Sequence, residues 1–208
     1  MSLLFETIKC QNRQLHNLSY HDNRVRWSRE NLFGMSHDFD FANTIKIPDW
    51  IGEGIYRCRV SYGEEIEKVE FFAYEFKHPK VLQLDEYPSF NYEFKYEDRG
   101  KFQNLLKIYP NADDVIITQN DLITDATYAN IALFDGTKWF TPNTFLLLGT
   151  KREYLLDNQL LTEDEIKVSD LKKFKKIALI NAMRDLDLAY DFEVDKNIIS
   201  IKLNNGIA

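Results

Sequence analysis

The chain has 208 residues, enough for one large domain or two small ones, and its 44% hydrophobic and 14% aromatic content excludes a disordered polymer. A formal net charge of −7 with a pI near 5.2 argues against nucleic-acid binding, which needs a basic stripe; the basic run 172–176 reads as a solvated helix end. No apolar run approaches the roughly 20 residues that span a bilayer. The four histidines are scattered and the two cysteines, Cys10 and Cys58, are too few for a disulfide framework, so no metal site, no membrane partner and a cytoplasmic location are expected.

In chain order, residues 3–9 alternate as a strand does. A helix is expected from Ser19 to Phe33, ended by Gly34, although its apolar face is poorly defined. Residues 55–62 and 66–76 read as strands joined by a hairpin turn at Gly63-Glu64-Glu65. Residues 77–91 contain His78-Pro79 and Tyr87-Pro88 and read as a crossover between two halves. Phe102, Leu105, Leu106 and Tyr109 recur at helical spacing before Pro110. Strands are then expected at 115–118, at 123–134 as one run, and at 138–141 after an Asp135-Gly136 turn. A helix at 151–161 and a short apolar strand at 177–181 complete the series. Strands and helices without strict alternation indicate an α+β fold.

Several groups could carry chemistry. Lys95 lies among aromatic residues, in Phe94-Lys95-Tyr96, where burial would favour the neutral amine that carbonyl chemistry requires. The ordinary alternative is a surface lysine whose stem packs on Tyr92 or Tyr96. Arg57 and Arg59 alternate along one strand and so share a face that could grip a carboxylate or phosphate; pairing with Glu65, Glu67 or Glu70 across the hairpin is the simpler reading. Gly149-Thr150 opens a helix, a place suited to a phosphate but common in itself. Asp125, in a strand-like stretch, is either solvated or buried with a partner.

Taken in order, these segments resemble the class IV aminotransferase family. His21-Asp22-Asn23-Arg24 is similar to the family's H-x-x-R, whose arginine reaches the phosphate of pyridoxal 5'-phosphate (PLP). Phe94-Lys95-Tyr96-Glu97-Asp98-Arg99 resembles its Lys-x-x-Asn-Arg segment, which holds the Schiff-base lysine. Asp114-Val115-Ile116-Ile117 with Thr124-Asp125-Ala126-Thr127-Tyr128-Ala129-Asn130 is similar to the stretch whose acid contacts the pyridine nitrogen. Thr141-Pro142 and Gly149-Thr150-Lys151-Arg152 resemble "T-P … G-I-T-R" at the phosphate, and Ile180-Asn181-Ala182-Met183 matches the last phosphate-side loop.

The resemblance implies a two-domain fold type IV PLP enzyme, with a small α/β domain over 1–86 and a larger β-rich domain with flanking helices over 87–208. It implies Lys95 as the catalytic lysine, with Arg24, Asp125, Gly149, Thr150, Lys151, Asn181 and Ala182 around the cofactor and Arg57 at the substrate carboxylate. It also implies a small amino substrate bearing a carboxylate, and a homodimer. Some positions depart from the pattern: Asp125 for Glu, Lys151 for a threonine, Leu148 for a proline, and Gly100 where branched-chain aminotransferases carry tyrosine. The expected activity is that of a 4-amino-4-deoxychorismate lyase, releasing pyruvate and 4-aminobenzoate for folate synthesis. The alternatives are an aminotransferase of branched-chain or D-amino acids, and a PLP-binding member without turnover.

Overall fold

The computed structural model describes residues 3–36 and 39–202. Its contacts divide the chain into two units, Met1–Phe76 with Phe94–Asp98, and Lys77–Glu93 with Arg99–Ala208.

In the first unit β1 (Leu4–Gln11) is followed by β2 (Gln14–Leu15), α1 (Leu18–Phe33), a single helical turn α2 (Phe41–Thr44), β3 (Ile55–Tyr62) and β4 (Ile66–Ala73). The strands form an antiparallel sheet in the order β2-β1-β3-β4. Strict alternation in β1 buries Leu4, Glu6, Ile8 and Cys10 on one face. Val25 of α1 joins Leu4, Ile8, Cys58, Val60 and Tyr62 in the core there. The weak apolar pattern of α1 now has a cause. Its buried residues are His21, Arg24, Val25, Ser28 and Arg29, which keep helical spacing but are mostly polar. Gly34 ends the helix at φ 68, its N–H shared between the carbonyls of Arg29 and Glu30, a left-handed cap that glycine adopts without strain. Residues 66–76 were expected as strand; pairing stops at Ala73.

The second unit contains β5 (Val81–Glu86), α3 (Gly100–Ile108), β6 (Asp114–Gln119), β7 (Leu122–Ala126), β8 (Asn130–Phe134), β9 (Trp139–Pro142), α4 (Thr150–Asp157), β10 (Thr162–Asp164), β11 (Lys176–Ile180), β12 (Tyr190–Asp195) and β13 (Ile198–Lys202). The sheet runs β10-β9-β8-β11-β12-β13-β5-β6-β7, and a further β7–β8 pairing closes seven of these strands into a barrel-like ring. Leu82, Ile116, Ile123, Ile131, Leu179 and Ile199 fill its core. This mixed architecture is the expected α+β class.

Three expectations change. Residues 81–86 are not part of a crossover: β5 pairs in parallel with β6 and antiparallel with β13, with Leu82 and Leu84 buried at alternate positions. The strand expected at 123–134 is a hairpin, turned at Thr127-Tyr128-Ala129 with the N–H of Ala126 bonded to the carbonyl of Ala129. The helix expected at 151–161 ends at Asp157, and Gln159 then takes a positive φ of 58. The contact division also differs from the expected boundary at 86/87, because β5 belongs to the second unit's sheet while residues 94–98 run along β1.

Candidate functional site

In the first unit the segment carrying Lys95 docks on the free edge of β1. Leu4 bridges Tyr96, the N–H of Phe5 donates to the carbonyl of Lys95 at 3.0 Å, and that of Glu97 to Leu3 at 2.9 Å. Antiparallel pairing sets Lys95 and Glu97 on the face of Phe5, opposite the buried face of Leu4 and Glu6. Lys95 is half-buried, with Nζ 4.6 Å from the centroid of the Phe5 ring; Arg59 Cζ lies 5.0 Å from the same centroid. Arg59 is paired with Glu97 at 3.0 Å, and Glu97 also accepts the hydroxyl proton of Ser61. Glu70, opposite Arg59 in register, is paired instead with Lys68 at 2.5 Å. Arg57 lies on the same face with Cζ 5.0 Å from the Phe72 centroid, and its buried Nε has no partner among the described residues.

Arg24 lies on the buried face of the unit. It donates from Nε to Glu6 Oε1 at 2.8 Å and from Nη2 to Oε2 at 2.5 Å, while His21 Nδ1 is 2.6 Å from Oε2. Glu6 and His21 are fully buried and Arg24 is 5% exposed. Burial alone would raise the Glu6 pKa, but Arg24 and His21 outweigh it and bring it down to about 2. Burial, aided by the charges of Arg24 and Lys95, lowers the pKa of His21 despite the opposing pull of Glu6. The imidazole is therefore neutral at pH 7 and donates its Nδ1 proton to the carboxylate.

In the second unit the β7–β8 hairpin sets Asp125 opposite Asn130. Asp125 Oδ1 accepts from Asn130 Nδ2 at 2.8 Å, and Oδ2 accepts from the backbone N–H groups of Leu146 and Leu147 at 3.0 Å each. Asp125 is thus buried with partners. Burial raises its pKa to about 6 against those hydrogen bonds. Asn130 Nδ2 also donates to the carbonyl of Leu147 at 3.0 Å. Gly149 caps α4, and a Cβ there would lie 1.8 Å from Asn130 Oδ1. Because Asn130 is anchored on both sides, it cannot yield cheaply. Gly149 has an ordinary φ of −80, so close packing, not backbone freedom, requires glycine.

Thr150, Lys151 and Arg152 form the buried first turn of α4. Lys151 Nζ is paired with Asp185 Oδ2 at 2.6 Å, while Arg152 donates to the carbonyl of Pro142 at 3.1 Å and pairs with Glu163. Asn181 and Ala182 lie in a tight turn after β11. Asn181 and Arg184 exchange backbone bonds at 3.2 and 3.0 Å, and Asn181 Oδ1 accepts from the N–H of Met183 at 2.9 Å. Arg184, 2% exposed, secures the turn from beneath by donating to the carbonyls of Leu179 and Lys77 and to the Tyr190 hydroxyl.

A profile of the family "Amino-transferase class IV" matches residues 109–186. An uncharacterized protein of Haemophilus influenzae is 32% identical over 185 residues, covering 88% of this chain and 98% of its own. The solved structure of a "putative 4-amino-4-deoxychorismate lyase" from Haemophilus somnus 129PT is 30% identical, covers 89% of this chain and 98% of that one, and superposes with a TM-score of 0.80. A "Putative aminodeoxychorismate lyase" of Schizosaccharomyces pombe is 33% identical over 82 residues, 36% of either chain.

The chain belongs to the class IV aminotransferase family. Its fold is the type IV fold of the superposed structures. Within that frame, sequence motifs include Glu6, His21 and Asn130 but assign no role to them or to Arg184, the groups that hold the candidate residues in place. Glu6 and His21 fix Arg24, Asn130 ties Asp125 to Gly149, and Arg184 anchors the Asn181 turn. Asp114 opens one of the motifs but has no role there. Its Oδ1 accepts from Thr127 Oγ1 at 2.5 Å and from the N–H of Val115 at 2.8 Å, and its buried Oδ2 has no partner among the described residues. Burial pushes its pKa to about 7, against those two hydrogen bonds.

Proposed function

We propose that this chain is a PLP-dependent lyase that releases pyruvate from 4-amino-4-deoxychorismate to give 4-aminobenzoate. The observation that carries the reading is the Lys95 amine, half-buried on the Phe5 ring beside Arg59 of β3, in a chain whose near full-length relative from Haemophilus somnus bears that lyase name. The donor set fits the cofactor. It comprises an amine for the aldehyde, a buried carboxylate for the pyridine nitrogen, and a glycine at the N-terminus of α4 for the phosphate.

The family resemblance assigns PLP to Lys95, and its phosphate to Arg24, whose guanidinium Glu6 holds, and to Gly149, Thr150, Lys151, Asn181 and Ala182. When bound, PLP supplies an electron sink for negative charge at the substrate's α-carbon. Lys95, once its amine is released, would take the proton from that carbon. Asp125, with a pKa near 6, is largely ionised at neutral pH and would favour the protonated form of the pyridine nitrogen. The hydrogen bonds from Leu146, Leu147 and Asn130 fix the direction of its carboxylate. Arg57 takes a substrate carboxylate bidentately.

Visible absorbance before and after borohydride, followed by peptide mapping of the reduced lysine, tests the cofactor assignment. The label is expected on Lys95, and Lys95→Ala is expected to lose both the absorbance and turnover. A label on another lysine would overturn the assignment. Release of pyruvate and 4-aminobenzoate supports the lyase; amino transfer to 2-oxoglutarate without their release would make the chain an aminotransferase, a reading that uses the same lysine.

A further inference from the structure

The outer face of the first unit's sheet carries two arginines in different states. Arg57 and Arg59 are roughly 7 Å apart along β3 and point the same way. Arg57 has no acidic partner among the described residues, only the Phe72 ring. Arg59 already holds a carboxylate, that of Glu97, whose Oε1 also accepts from the Ser61 hydroxyl. Glu97 follows Lys95 by two residues on the edge of β1, so all four side chains share the face on which the Phe5 ring carries Lys95 and Arg59. The Arg59 and Glu97 side chains remain 31% and 26% exposed, within reach of a solute.

We infer that Glu97 is a specificity-determining residue: its carboxylate occupies a second carboxylate site, made by Arg59 and Ser61, which a dicarboxylic substrate fills by displacing it. The inference deepens the proposed function and rests on Lys95 marking the reacting end. The chemistry of the reaction agrees, because pyruvate and 4-aminobenzoate each carry one carboxylate and their common precursor must carry two. A monocarboxylate needs only Arg57 and leaves Glu97 in place. A dicarboxylate uses both arginines and exchanges one ion pair for another. Part-exposed pairs of this kind contribute little net free energy, so displacing Glu97 weakens binding by no more than about 5-fold.

The test uses butyrate and succinate, which match in length and differ by one carboxylate, titrated by calorimetry into the cofactor-loaded and the cofactor-free protein. Wild type is expected to bind succinate more tightly than butyrate. Glu97→Gln is expected to raise succinate affinity about 5-fold with a smaller effect on butyrate, because the competing charge is gone but the chain length is kept. Ser61→Ala, which only loosens Glu97, is expected to act in the same direction more weakly. Arg59→Gln is expected to abolish the advantage of succinate and retain butyrate binding. Circular dichroism verifies folding of each variant. A succinate-to-butyrate ratio that is unchanged in both Glu97→Gln and Arg59→Gln would overturn the inference. The borohydride label tests the lysine separately, so failure of the cofactor reading and failure of this one are distinguishable.

Discussion

Replacing Glu6 with glutamine tests whether the buried cluster around Arg24 holds the first unit together. Glu6 is fully buried and its pKa falls from 4.5 to about 2 on folding. A pKa lowered on folding contributes stability that is complete above the unfolded value and lost as pH drops through the folded value. At about 1.4 kcal/mol per pH unit, Glu6 contributes on the order of 3 kcal/mol above pH 4.5, vanishing toward pH 2. The variant also leaves Arg24 without its counter-charge, and breaking a buried pair on one side costs about 3–5 kcal/mol. Both routes give the same size of effect. The assay is urea unfolding followed by tryptophan fluorescence at several pH values, with Trp27 and Trp50 of the first unit reporting. The deficit of Glu6→Gln against wild type should be about 3 kcal/mol at pH 7 and shrink steadily between pH 4.5 and 2. Other carboxylates titrate in both proteins and cancel in the difference. A deficit below about 1 kcal/mol at pH 7, or one that does not change with pH, would refute the account of the cluster.

Gly149→Ala should drive a methyl group into Asn130, loosening Asp125 and the Leu146–Leu147 backbone, with a loss of about 1–3 kcal/mol in thermal or urea unfolding and weaker PLP retention. Asp114 behaves in the sense opposite to Glu6. A pKa raised from 3.8 to about 7 means that wild type loses stability as pH rises from 3.8 toward 7, and Asp114→Asn should gain relative to wild type across that window, on the order of 4 kcal/mol at most, read as melting temperature against pH. A flat difference would contradict it. Lys151→Met should cost no more than about 1 kcal/mol in unfolding, because Asp185 is half-exposed, while a larger fall in PLP affinity would mark Lys151 as a phosphate ligand.

Much of the scaffold could be read from residue order, and the gaps have physical causes. The alternation in β1 and β3, the glycine cap of α1 and the amphipathic α3 announce themselves through period and punctuation. Strand β5 alternates too, at Leu82 and Leu84, but the prolines on both flanks draw the eye to a loop. The hairpin between β7 and β8 turns through Thr127, Tyr128 and Ala129 without glycine or proline, so no local signal separates it from one long strand. The candidate residues were named in sequence, but their partners are distant in the chain. Glu6 is 18 residues from Arg24, and the Asp125 carboxylate is satisfied by backbone N–H groups 21 and 22 residues on. No local pattern encodes such pairings.

The departures from the family pattern are also connected through these partners. A shortened acid at position 125 would be expected to leave a gap, yet its carboxylate is taken by Leu146, Leu147 and Asn130, and Asn130 in turn packs where a side chain at 149 would sit. Asp125 thereby fixes the approach to α4 as well as presenting an acid. Lys151 places a cation in a buried first helical turn, normally unfavourable because the helix dipole is positive there, and Asp185 offsets it at 2.6 Å. Asp185 can do so because Arg184, directly before it, is bonded to Leu179, Lys77 and Tyr190 and keeps the turn after β11 in place. Both positions are thus held by partners within the second unit, Asp125 by Leu146, Leu147 and Asn130, and Lys151 by Asp185.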